Sequence, residues 1–214
     1  EFMHSLAESI AKWLVSKSEH PFNQEEIRYG TEVFLGTAVQ IALILSIAFL
    51  LGLFKETVFL FFSAAVYRRY SGGIHCEKYY RCTITSLAVF IFLAYLLHFI
   101  VLSSFIWIFS MALLVSIGAI IFLVPVDDPK NPIVEQEKKE SLKHRTALVL
   151  LGLFLMALLA ANILHDFNMA YAILIGVLWQ SFTLTAWGQR SVSTLDQVFA
   201  YIEKIFIRKE GQNV

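Results

Sequence analysis

Residues 68–82, RRYSGGIHCEKYYRC, hold both cysteines of the chain, Cys76 and Cys82, together with His75. A cysteine is a strong nucleophile only as the thiolate, and an unassisted thiol with a pKa of about 8.5 is mostly protonated at pH 7. A histidine within hydrogen-bond reach removes that proton and leaves a thiolate–imidazolium pair able to attack a carbonyl. His75 has two candidate partners. Neighbouring residues on a helix or strand point apart, so His75 and Cys76 do not naturally face each other. His75 and Cys82 fall on one face of a continuous helix, but about 10 Å apart along its axis. The pair therefore works only if the backbone bends between them, and Gly72 and Gly73 offer the freedom for such a bend. Cys82 at the start of a long apolar helix would also feel the helix N-terminus, which lowers a thiol pKa. Arg81 and the pair Arg68 and Arg69 add positive charge nearby.

Spacing alone leaves other readings open. The cysteines could be small apolar fillers at a helix end. They could hold a metal with His75, although His144 is the only further cytoplasmic-loop ligand, and three ligands make a weak zinc site; no metal and no cofactor is expected. Tyr67, Tyr70, Tyr79 and Tyr80 suit a membrane-interface belt better than a stacking platform. Glu77, Thr85, Ser86, Gln40, Gln180 and Ser181 are candidates for an oxyanion donor or a group orienting His75 by polarity only. Gln40 and Gln180 lie in apolar segments, where a polar side chain faces protein or a cavity. For Gln180 the choices are substrate contact or an interhelical hydrogen bond, and Arg69 is a candidate for binding acidic parts of a substrate.

The elements that must hold these groups are membrane helices. With 57% hydrophobic and 16% charged residues, the chain has too little polar surface to cover itself in water. Two cysteines make no disulfide framework. Six apolar segments are expected to cross the bilayer, at 32–54, 57–67, 83–102, 105–124, 146–164 and 169–187. The second is short: its length gives a helical rise of only about 17 Å, so it crosses with help from its flanks or enters and returns on one side. Leu6, Ile10, Trp13 and Leu14 repeat at helical spacing near the N-terminus, as do Leu195, Val198, Phe199 and Ile202 near the C-terminus. Both stretches read as amphipathic helices on the membrane surface. The first also fits a helix packed on a cytoplasmic partner. Between the fourth and fifth segments, VPVDDPKNPIVEQEKKESLKHR reads as a polar connection with a stiff, proline-bearing start. Glu1 and Phe2, before Met3, read as a cloning remnant. The layout is then 3–30 as N-terminal helix and link, 31–190 as a six-helix membrane domain, and 191–214 as C-terminal helix and tail.

Charge fixes an expected orientation. No secretory signal follows Met3, so the N-terminus should stay in the cytoplasm. With six crossings, sixteen of the seventeen Lys and Arg residues become cytoplasmic and only Lys55 lies outside, the bias of the positive-inside rule. Both termini and the His75–Cys82 region are then cytoplasmic, in the cell membrane.

Arg68, Arg69, Gly73, His75 and Cys82, between membrane helices, closely resemble the motif of the accessory gene regulator protein B (AgrB) family, membrane cysteine endopeptidases of quorum sensing. The amphipathic start, VPVDDPKNP and QSFTLT extend that resemblance over nearly the whole chain from Met3. It implies an all-α integral membrane enzyme that removes the C-terminal part of a precursor peptide and helps close the remainder into a thiolactone or lactone pheromone. By resemblance Cys82 is the nucleophile, His75 the base, and Arg68 and Gly73 support activity, whereas Cys76 has no counterpart among the catalytic positions. Implied partners are an AgrD-like precursor peptide and the lipid bilayer, with a homodimer left open and no nucleic acid. The reading from another class is a small peptide exporter or channel. Against it, no Asp, Glu, Lys or Arg lies deep in any segment; His98, toward the outer end of the third, suits the interface.

Overall fold

The computed structural model describes residues 2–17, 23–73, 78–100, 104–127 and 135–210. His75, Cys76 and Glu77 lie outside the described residues. Those described are helical throughout apart from turns and one isolated parallel bridge, between Gly72 and Val126. The protein is an all-α membrane protein, and five of its helices are long and apolar enough to cross a bilayer.

Two compact units divide the chain, Glu1–Ile47 and Ala48–Val214. The first contains α1, Phe2–Lys17, and most of α2, Gln24–Leu50. In α1 the small residues Ala7 and Ala11 are buried, while Leu6, Trp13 and Leu14 stay exposed. That apolar stripe is the face a bilayer surface would take up.

The second unit carries the polar island and is built around two helices, α3, Phe54–Ser71, and α7, Phe167–Leu184. They run parallel along their full lengths. Lys55 at the start of α3 pairs with Asp166 at the start of α7, and Ser71 at the end of α3 meets Gln180 in the last turns of α7. Between these ends the backbones come very close. A Cβ added to Gly176 would lie 2.0 Å from Ser63 Oγ and 2.5 Å from the Leu60 carbonyl oxygen, so only glycine admits this contact. Small residues at such a seam are how membrane helices gain packing without a hydrophobic drive between them. Glu56, Thr57, Leu60, Ser63, Ala64, Tyr67 and Ser71 form the buried stripe of α3.

The sequence reading of this helix is corrected by the structure. In place of an eleven-residue segment at 57–67, α3 has 18 residues, a rise of about 27 Å. It traverses the same depth as α7 and does not turn back. Its end turns carry Lys55, Glu56, Arg68 and Arg69, which lowers its hydropathy, and α3 is not among the five helices long and apolar enough to cross a bilayer.

The remaining elements complete the bundle: α4, Tyr79–Leu96, with a 3-10 turn at Leu97–Phe99; α5, Phe105–Phe122; α6, Gln136–Asn162; and α8, Ala186–Glu210. Phe105 packs on Phe167 and Tyr171, so α5 starts at the same end as α7. The Phe109–Phe154 contact and the bond from Lys143 to the Ile121 carbonyl make α6 antiparallel to α5. A second correction concerns α6. Its first turns, from Gln136 to Arg145, occupy half of the stretch expected to be a loop. After Pro132 that stretch holds no helix breaker, and its Gln, Glu and Lys residues are good helix formers.

Candidate active site

One end of the second unit gathers the end of α3, the start of α4, the 123–127 segment, the end of α7 and the start of α8. Cys82 is in the first turn of α4, half-buried, with its amide donating to the Lys78 carbonyl at 3.4 Å. Lys78, the residue before the helix, is extended, with φ −110° and ψ 134°. The helix carrying Cys82 therefore begins only at Tyr79, after His75 in the chain.

Five and six residues before Lys78, the chain leaves α3 through Gly73 and Gly72, at φ 137° and 78°. Both values lie where side chains are strained, and each glycine is also sterically enforced. At Gly72 a Cβ would sit 2.1 Å from the Val126 carbonyl oxygen, and at Gly73 one would sit 2.8 Å from Arg68 Nη1. The Arg68 guanidinium thus lies against Gly73, linking two residues that the sequence motif names separately. The turn is stitched to the 124–126 segment by Val126 N–H donating to the Ser71 carbonyl at 2.9 Å and Gly73 N–H donating to the Val126 carbonyl at 3.3 Å.

Gln180 lies beneath this turn, buried. Its Nε2 donates to Ser71 Oγ and to the Gly72 carbonyl, both at 3.1 Å, and its Oε1 accepts from Thr183 Oγ1 at 3.1 Å. A helical turn deeper, Ser181 Oγ meets Tyr67 Oη at 3.3 Å. Tyr67 is fully buried, so this tyrosine of the expected interface belt is an interhelical residue instead. Arg69 is exposed.

Arg81, beside the nucleophile candidate, does not lend it free charge. It is buried, with Nη2 2.7 Å from Glu203 and Nη1 3.3 Å from Asp196. Lys78 and Tyr80 Oη also engage Glu203. Hydrogen bonds from Lys78, then Tyr80, then Arg81 push the Glu203 carboxyl down to about 2. Asp196 and Glu203, two turns apart, form the face of α8 turned to α4. Leu195, Val198 and Ile202 are left exposed, as expected of a helix with its apolar side to the membrane. Sequence reasoning missed this clamp, and it missed Val126 and Thr183. The signal for the clamp was present as acids repeating every seven residues, Asp196, Glu203 and Glu210, in this helix.

Thr85, one turn into α4 from Cys82, has its hydroxyl buried without a partner among the described residues.

A family model described as Accessory gene regulator B matches residues 5–184. Among curated proteins, the chain is 29% identical to one from Clostridium perfringens strain SM101, over 89% of this chain and 97% of the relative. It is also 29% identical to one from Listeria monocytogenes serotype 4a, over 82% of this chain and 84% of the relative. Both are provisionally named AgrB-like proteins. No solved structure is significantly similar.

Proposed function

Because the chain belongs to the accessory gene regulator B family, we propose that it is a membrane-embedded cysteine endopeptidase acting on a quorum-sensing precursor peptide. The observation that carries this reading is the position of Cys82, half-buried in the first turn of a membrane helix. There a thiolate is favoured by the helix N-terminus.

The reaction proceeds in two acyl transfers. His75 takes the thiol proton, Cys82 Sγ attacks the scissile carbonyl, and a tetrahedral oxyanion forms. On collapse the C–N bond breaks, His75 protonates the departing amine of the C-terminal tail, and the N-terminal part remains as an acyl-thioester on Cys82. A thiol or hydroxyl within that part then loses its proton, attacks the thioester carbonyl and closes the ring as the C–S bond to Cys82 breaks. The proton returns to the leaving Cys82 sulfur. Water must stay out during the thioester's lifetime, because hydrolysis gives a linear product. Arg68 and Gly73 support the site by shaping the turn. Arg69, exposed at the same end, binds acidic parts of the precursor. The orientation follows from the charge bias, with this end and both termini on the cytoplasmic side of the cell membrane.

The test is co-expression with the precursor encoded by the neighbouring small reading frame, followed by mass spectrometry of its fragments. Cys82→Ala should abolish cleavage. His75→Ala should lower it by about 10²- to 10⁴-fold, the worth of a general base. Cys76→Ala should process normally. Ordinary processing by Cys82→Ala or His75→Ala, in protein that accumulates in membranes, rules the reading out.

A further inference from the structure

A glutamine in the last turns of a membrane helix is an expensive residue to bury, and Gln180 is buried in full view of the turn that precedes His75. Its surroundings fix which way its amide faces. The Gly72 carbonyl can only accept, so the group facing it must be the NH₂, while the Thr183 hydroxyl can donate to the oxygen. Nε2 has two acceptors, and these are the side chain of Ser71 and the main chain of Gly72. Those residues end α3 and begin the chain toward His75.

The main chain here has little else to define it. Gly72 and Gly73 impose no rotamer or φ preference of their own, and α3 ends on the Gly72 N–H donating to the Arg68 carbonyl at 3.0 Å. Two interactions remove that freedom from opposite sides. The Val126 segment bonds Ser71 and Gly73 through the backbone, and Gln180 bonds Ser71 and Gly72 from α7. Because α7 packs along α3 over its whole length, the amide refers the turn to the most extensively packed pair of helices.

We propose that Gln180 is a positioning residue for the His75–Cys82 pair, acting through the Ser71–Gly72 turn and not by touching the precursor. This deepens the peptidase reading and rests on it. It also favours one of the two roles open to Gln180 from the sequence, because both protons of its NH₂ are already engaged by Ser71 and Gly72, while the Thr183 hydroxyl is shared between its Oε1 and its main-chain carbonyl.

The experiment uses the full-length chain in a Cys76→Ala background, so that alkylation reports Cys82 alone. Three readouts are taken: accumulation in membranes, precursor cleavage, and the pH profile of Cys82 alkylation. Gln180→Leu removes both donors at similar volume. Cleavage should fall by about 10²-fold, the cost of misplacing a reacting group by about 1 Å. The alkylation profile should move toward higher pH, to that of His75→Ala. Gln180→Glu, which keeps the length and one donor when protonated, should recover part of both. A Gln180→Leu protein that accumulates and alkylates with the unaltered profile overturns the inference. Should that variant fail to accumulate, Thr183→Val carries the test, with a smaller shift in the same direction expected and an unaltered profile again overturning it. His75→Ala and Cys82→Ala separate the two levels. If they process normally the peptidase reading falls, whereas if they are inactive while Gln180→Leu alkylates normally, only the positioning role falls.

Discussion

Gly73 and Arg68 act as one unit, and their coupling can be measured. An added Cβ at Gly73 meets the tip of a flexible side chain, 2.8 Å from Arg68 Nη1, whereas one at Gly72 meets backbone, 2.1 Å from the Val126 oxygen. Gly73→Ala therefore displaces the guanidinium and strains the backbone by about 1–3 kcal/mol. Gly72→Ala must break the bridge to Val126 and should cost more in both yield and activity. Gly73→Ala should accumulate in membranes with reduced cleavage, and Arg68→Ala should reduce cleavage too. The double variant should be little worse than either single one, since both remove the same contact. Fully multiplicative losses in precursor cleavage would mean that the two residues work independently. Spacing and chemistry singled out His75 and Cys82 as candidates, and the family resemblance added Arg68 and Gly73, because all four lie within one short stretch of the chain. They could not identify Val126 or Thr183, whose contributions are a main-chain bridge and a bond across one helical turn to Gln180. Neither has a residue-type signature.

At the scale of elements, helix type was legible and helix ends were not. Hydropathy located α4, α5 and α7 to within a turn or two at each end. It shortened α3 and α6, whose polar ends continue as regular helix: the backbone bonds of Arg68 and Arg69 or of Lys138 and Lys139 are made regardless of where the side chains lie. The C-terminal helix α8 is held to α4 by polar contacts, and this sets a pH dependence. Lys78, Tyr80 and Arg81 lower the Glu203 carboxyl from its ordinary 4.5 to about 2. A depressed carboxylate stabilises the docked helix fully above the ordinary pKa and loses that contribution as pH falls from about 4.5 toward about 2. Limited proteolysis of purified protein in detergent, with an acid-tolerant protease, should cut α8 faster as pH falls through that window. Glu203→Gln should cut faster already at pH 7 and show a flatter profile. An equally steep profile in Glu203→Gln would assign the titration to another group, with Asp196 as the next candidate.

The second unit separates its basic residues by end. Lys55 lies at the end of the second unit where α3, α5 and α7 begin, paired to Asp166, which also caps α7 by accepting from the Met169 amide at 3.1 Å. Desolvation opposes the Asp166 charge, but Lys55 and that amide together outweigh it and hold the carboxyl below its usual range. This end thus carries a cation already neutralised by a neighbour, while the opposite end of the unit carries Arg68, Arg69, Lys78, Arg81 and the basic start of α6. A buried charge is costly unless it is paired, so the pairing fits the expectation from the charge bias that Lys55 lies on the opposite side from the other basic residues. The expectation is direct. In a chain with Cys76 and Cys82 replaced, a cysteine at position 55 should react with a membrane-impermeant maleimide in intact cells. Cysteines at 138 and 190, both exposed and near the end that carries Cys82, should react only after permeabilisation. Labelling of all three from one side would require an odd number of crossings to be lost between α3 and α6. That is incompatible with α3 running parallel to α7 over its full length, so the parallel pairing itself would then be wrong.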